Sequence, residues 1–191
     1  MVAIIDPSVA SNFPNNFFNL NGWLKSKGIE RIFDISFGAE LTVMSYVKHI
    51  MFESPDYLIS SRCPAIVSYL EIYQPELLEY LAPIDSAVNH TMKMVEEYYP
   101  EMANYEFVVI SPCIARKREL EETGYGDYNV TFQSLKKYFD KKNLNLLDYP
   151  KKFYDNKPPE RAVLFPSPGG LERTLERWMP DIEGKTRKIT G

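Results

Sequence analysis

Short apolar runs and helically spaced apolar stripes alternate along this chain. Residues 2–5 (Val-Ala-Ile-Ile) are continuously apolar and close on Asp6-Pro7-Ser8, the pattern of a buried strand and its turn. Residues 14–27 place Phe17, Phe18, Leu20 and Leu24 on one stripe, with Pro14 suited to a first turn and Gly28 to a stop. A second strand is predicted over 30–35. A second helix follows over 38–52, where Leu41, Met44, Val47, Met51 and Phe52 recur at three and four. After Pro55-Asp56, residues 57–61 read as a third strand leading into Cys63. Pro64 opens a helix to about Tyr73 with Ile66, Val67 and Leu70 inward. Asp85 or Ser86 caps a longer helix to about Tyr99. Residues 105–111 form the fourth strand and lead into Cys113. Residues 119–123 look like a helix end, 128–132 a short edge strand and 134–142 a surface helix. A further strand over 161–165 and a helix over about 171–179 end the pattern.

Strands and helices in this order predict an α/β fold: an open, mostly parallel sheet of about four or five strands with helices on both faces. Residues 1–147 are expected to form one lobe. Residues 148–160 turn to Lys, Asp, Asn and Pro and read as a loop or linker. Residues 161–191 read as a strand–helix segment that starts a second lobe, truncated at Gly191.

A net charge of −4 argues against a nucleic-acid binder, whose domain is usually basic. No apolar run reaches the roughly 18–20 residues of a membrane span. Met1 runs straight into apolar residues without a basic leader, so no secretory signal is expected. Two cysteines without export signals predict a reducing, cytoplasmic setting.

Those cysteines, Cys63 and Cys113, are the candidate chemistry. Each follows a predicted strand, and the carboxyl ends of parallel strands share one edge, where ligands collect. Both thiols are therefore expected at one rim. Three readings of them stand side by side: metal ligands, small buried apolar residues, or a disulfide pair. His49 and His90 read most simply as helix-surface or hydrogen-bonded histidines.

The motifs resemble one family, the large-subunit catalytic domain of the iron-only hydrogenases. Asp6-Pro7-Ser8-Val9 is similar to the family's Ala-Pro-Ser/Ala-Val segment. Residues 33–42 (Phe-Asp-Ile-Ser-Phe-Gly-Ala-Glu-Leu-Thr) are similar to Phe-Asp-Thr-x-Phe-Gly-Ala-Asp-Leu-Thr. Ser60-Ser61-Arg62-Cys63-Pro64 resembles Thr-Ser-Cys-Cys-Pro. Residues 111–119 resemble Met-Pro-Cys-x-x-Lys-x-x-Glu, and Gly169-Gly170-Leu171-Glu172 resembles Gly-Gly-Val-x-Glu.

This resemblance implies that Cys63 and Cys113 take two of four ligand positions of a 4Fe–4S cluster in the full-length protein. The other two would come from a missing carboxyl-terminal lobe of the same longer chain. By the same resemblance, Pro7 and Ser8 lie beside a diiron unit, whose presence stays open. Arg116 replaces a lysine that binds its cyanide. Arg62 replaces the proton-relay cysteine, while Tyr46, His49 and Ala82 replace further relay groups. The implied function is an iron–sulfur domain of a redox-sensing, signalling or electron-transfer protein with the relay lost, partnered by ferredoxin-like or signalling domains. The alternatives are a piece of an active hydrogenase and a metal-free scaffold.

Overall fold

Four strands pair in the order β2-β1-β3-β4, all of them parallel. They are β1 (Val2–Ile5), β2 (Arg31–Asp34), β3 (Phe107–Ser111) and β4 (Tyr128–Thr131), and the helices include α1 (Val9–Asn12) and α5 (Ala87–Tyr98) besides those described below. The structure is a computed structural model and describes residues 1–102, 104–160 and 162–186. The two central strands, β1 and β3, are buried at every position. A parallel strand covered on both faces has no polar alternation, which is why these two stand out as apolar runs. The predicted α/β class, with a parallel sheet, is what the chain forms.

The chain divides into two compact units: residues 1–35 with 91–158, and residues 36–90 with 159–191. The first unit holds the sheet. Ala3, Ile5, Ile32, Val108 and Ile110 project to one face, two residues apart along each strand. There they meet Leu20, Trp23 and Leu24 of α2 (Phe17–Ser26) and Phe132, Leu135 and Phe139 of α7 (Phe132–Lys142). Phe13 packs edge-on against Phe132 at 5.9 Å, and Trp23 against Phe139 at 4.8 Å. Each such side chain removed from water is worth about 1.5–3 kcal/mol, so this face contributes much of the unit's stability.

Residues 149–156 are irregular, yet they are fixed along the outer edge of β2. Asn19 Nδ2 donates to Tyr149 O (2.7 Å), and Asn21 Nδ2 donates to Lys152 O (3.0 Å). Asp155 N donates to Ile32 O (2.7 Å) while Ile32 N donates to Asp155 Oδ2 (2.7 Å). Asn156 repeats the exchange with Asp34: Asp34 N donates to Asn156 Oδ1 (2.9 Å), and Asn156 Nδ2 donates to Asp34 O (3.1 Å). An edge strand left open is a template for pairing with another chain, and this strap fills it. Lys25 and Arg31 each reach Asp155 at 3.0 Å. Burial works against the Asp155 carboxylate, but the Ile32 N–H and the two cations outweigh it and hold its pKa below the ordinary value. Gly22 lets the strap approach: a Cβ there would lie 1.9 Å from Pro150 O.

The second unit contains α3 (Ser36–Glu53), α4 (Pro64–Tyr73) and α8 (Gly170–Trp178). Two predicted strands do not form in it. Over 57–61 only Ile59 makes a bridge, to Leu81, and the Ser60 and Ser61 hydroxyls turn to Tyr46 instead of joining a ladder. In place of the strand over 161–165, Ala162–Leu164 is a 3-10 turn; Arg161 lies outside the described residues. Ala162 N donates to Glu40 Oε2 (2.9 Å), and Phe165 N donates back to Ala162 O (3.0 Å). Ile66, expected inward, is 45% exposed, because only Pro64 and Leu70 of α4 are buried. At the start of α8 a Cβ on Gly170 would lie 1.9 Å from Leu164 O, so the helix meets the turn backbone to backbone.

Candidate functional site

Because every strand is parallel, the loops after β1, β2, β3 and β4 emerge at one edge. The chain passes from β1 to β2 on one side and from β3 to β4 on the other, so the order reverses between β1 and β3. Ligands of open α/β sheets collect outside the strand ends at such a reversal. The loops that flank it here are Asp6-Pro7-Ser8 and Ser111-Pro112-Cys113. Register sets Ile5 beside Ile110 and Ser111 beside Thr131, which makes Pro7, Ser8 and Cys113 neighbours along the edge.

Both loops are shaped by their own side chains. Asp6 Oδ1 accepts from Ser8 N (2.9 Å) and from Ser8 Oγ, while Asp6 N donates to Ile110 O (2.9 Å). The turn is thus closed by an aspartate at the strand end, a role short polar side chains fill well. Cys113 N donates to Ser111 Oγ (3.2 Å), and Asn129 Nδ2 donates to Cys113 O (3.1 Å). The backbone around Cys113 is fixed while its thiol stays free and partly exposed. Arg116 begins α6 (Arg116–Thr123) and pairs with Glu119 in the same turn; both side chains are largely buried.

Tyr154 belongs to this edge and was not anticipated, since it lies in the irregular strap where periodicity carries no signal. Burial first, then the charges of Asp34 and Asp6, push its phenol pKa well up. It stays protonated and able to donate a hydrogen bond.

Cys63 lies in the second unit. Since 57–61 is not part of the sheet, the strand-end argument for a common rim applies to Cys113 alone. Cys63 is the N-cap of α4, with its carbonyl accepting from Ile66 N (3.0 Å) and Val67 N (3.1 Å), and its thiol free and partly exposed. The preceding residues are held by a buried hub. Tyr46, 2% exposed, accepts from Ser61 N (3.0 Å) and contacts Ser60 Oγ at 3.0 Å, while Ser61 Oγ donates to Ile84 O (2.7 Å). Arg62 donates from Nη1 to Phe165 O (3.1 Å), with its guanidinium 5.0 Å above the Phe165 ring. His90 Nδ1 sits 2.9 Å from Thr42 Oγ1, which itself donates to Gly38 O (3.0 Å). His49 is half-buried on α3.

Among the described residues no three or more His, Cys, Asp or Glu side chains gather as a metal cage, and no helix is long and apolar enough to cross a membrane.

An open parallel α/β domain with a thiol at its switch point is the class this edge defines. Within it, residues 1–189 match the family described as iron only hydrogenase large subunit, C-terminal domain. The chain belongs to that family. Iron hydrogenase 1 of Clostridium pasteurianum is 33% identical over 107 residues, which are 51% of this chain and 19% of that protein. The periplasmic Fe hydrogenase large subunit of Nitratidesulfovibrio vulgaris is 28% identical over 124 residues, 56% of this chain and 30% of the other. Two solved structures share the fold. One is an FeFe hydrogenase studied for oxygen damage to the two-iron part of its H cluster (TM-score 0.73, 23% identity, 92% of this chain and 52% of that one). The other is an FeFe hydrogenase from Chlamydomonas reinhardtii (TM-score 0.70, 24% identity, the same coverage). The chain therefore spans about half the length of these solved relatives and less than a third of the curated ones.

Proposed function

We propose that this domain holds part of an iron–sulfur centre for electron transfer or redox sensing, with Cys63 and Cys113 as its thiolate donors. The observation that carries the reading is Cys113: a partly exposed thiol on a fixed backbone, at the switch point, in a chain that matches the family over residues 1–189. A cubane cluster takes four ligands, usually thiolates, and this sequence has two cysteines. The chain's own donors therefore do not complete a 4Fe–4S site. We assign the remainder to a further lobe of the same longer chain, with ferredoxin-like or signalling domains as partners, in a cytoplasmic setting.

Rapid hydrogen turnover is not part of this reading. Arg62 stands where the resemblance puts the relay cysteine. A guanidinium keeps its proton at ordinary pH, and this one is committed to Phe165. Pro7, Ser8, Arg116 and Tyr154 shape the first unit's edge, with Arg116 offering its remaining N–H groups to an anion.

Anaerobic reconstitution with iron and sulfide, in dithiothreitol to complete the coordination, tests the donor assignment. Bound iron and broad visible absorption are expected, both falling in Cys63→Ser and in Cys113→Ser. Equal iron in wild type and both variants, or none in wild type, contradicts it.

A further inference from the structure

Helix α4 is apolar on two sides, and only one of them is covered. Leu70 is buried and Val67 half-buried. Ala65, Ile66, Tyr69, Ile72 and Tyr73 form a second, continuous arc at spacings of three, four and seven. All five are exposed: Ile66 by 45%, Tyr69 by 50%, Ile72 by 62% and Tyr73 by 64%. Tyr69 and Tyr73 stack along the arc, their ring centroids 5.3 Å apart. A surface helix normally confines its apolar residues to one stripe, and a contiguous exposed patch with aromatic residues at its centre marks an interaction site.

Acidic residues outnumber basic ones in the sequence around this arc. From residue 50 to residue 80 the acids are Glu53, Asp56, Glu71, Glu76 and Glu79, against a single Lys or Arg, Arg62. That arginine is engaged with Phe165. Glu76 and Glu79 lie exposed on the 3-10 turn Pro75–Tyr80, which packs directly against α4.

We propose that the outer face of α4 is a docking surface for a protein segment with an apolar centre and a basic rim. The charge pattern selects that occupant: complementary rims speed and orient encounter, and an acidic rim repels both acidic proteins and anionic lipid. This rests on residues 50–80 alone and stands whether or not the domain holds iron.

Two amphipathic helical peptides, one of Leu and Lys and one of Leu and Glu, serve as probes of the whole chain. The Leu–Lys peptide is expected to bind, to slow amide exchange over residues 62–80, and to weaken as salt rises. The Leu–Glu peptide is expected not to bind. Joint Ile66→Ser and Tyr69→Ser should weaken the Leu–Lys peptide by about tenfold, since buried aromatic anchors dominate interfaces. Joint Glu76→Gln and Glu79→Gln should weaken it by about threefold and flatten the salt dependence. Equal binding of the two peptides, protection elsewhere in the chain, or unchanged affinity in the Ile66/Tyr69 variant overturns the proposal. The altered side chains are exposed, and a matching denaturation midpoint separates lost docking from lost folding.

Discussion

In the sheet unit the strands pair backbone with backbone, and the irregular strap completes the β2 edge by setting the Asp155 and Asn156 side chains against the main chain of Ile32 and Asp34. In the unit built on α3, α4 and α8 no ladder joins the connecting segments, and side chains add the long-range ties: Tyr46 to residues 60–61, Arg62 to Phe165, Glu40 to Ala162. A ladder spreads its load over many equal bonds, whereas a hub concentrates it. The paired strands should therefore tolerate loss of one polar atom, while the strap should yield to backbone intrusion or loss of Asp155, and the second unit to loss of a single hub atom.

The largest effect expected is Gly22→Ala. Its methyl would collide with Pro150 O, with no flexible side chain to give way. The loss should be about 3 kcal/mol, read from chemical denaturation, with faster amide exchange at Ile32 and Asp34. Unchanged exchange there would mean that the strap does not depend on close approach. Next comes Asp155→Ala, which strands the buried Ile32 N–H and leaves Lys25 and Arg31 without their carboxylate. About 2 kcal/mol should go, together with a new tendency to self-associate through the open β2 edge, seen by sedimentation. Tyr46→Phe should cost about 1–2 kcal/mol by leaving Ser61 N–H without its acceptor. Denaturation indistinguishable from wild type would show that the second unit is not hub-held, and the contrast between the units would fail.

The smallest effect is in pH. Folding lowers the Asp155 pKa, so its stabilisation is complete above the unfolded value of about 4 and is lost as pH falls through the folded one. The stability of Asp155→Ala should accordingly fall less steeply in acid than that of wild type. Parallel acid slopes would show that Asp155 is not the group responsible.

This contrast also accounts for what could be read in advance. Val2–Ile5 and Phe107–Ser111 are buried on both faces, so their apolar runs announce them, and Pro64 marks the start of α4 without ambiguity. The run at 57–61 looks similar, but Tyr57 is 76% exposed and the serines bond to a tyrosine 14 and 15 residues away in sequence. No local pattern carries that information. The same holds for Tyr154 and Asp155, whose roles arise only when the strap meets β2. At the candidate edge, the placement of Cys113 after a central strand was legible because a parallel sheet puts its strand ends together, whereas Pro7 and Ser8 came only from the family resemblance. The strand-end argument for Cys63 depended on a strand that does not form.

The most direct test of the central claim, that the two thiols are iron donors, is site-resolved alkylation followed by mass spectrometry. In the apo chain both Cys63 and Cys113 should react with iodoacetamide, being free and partly exposed. After anaerobic loading with iron and sulfide both should be protected, and a chelator should restore their reactivity. Unchanged alkylation of either cysteine in an iron-loaded chain would contradict the account.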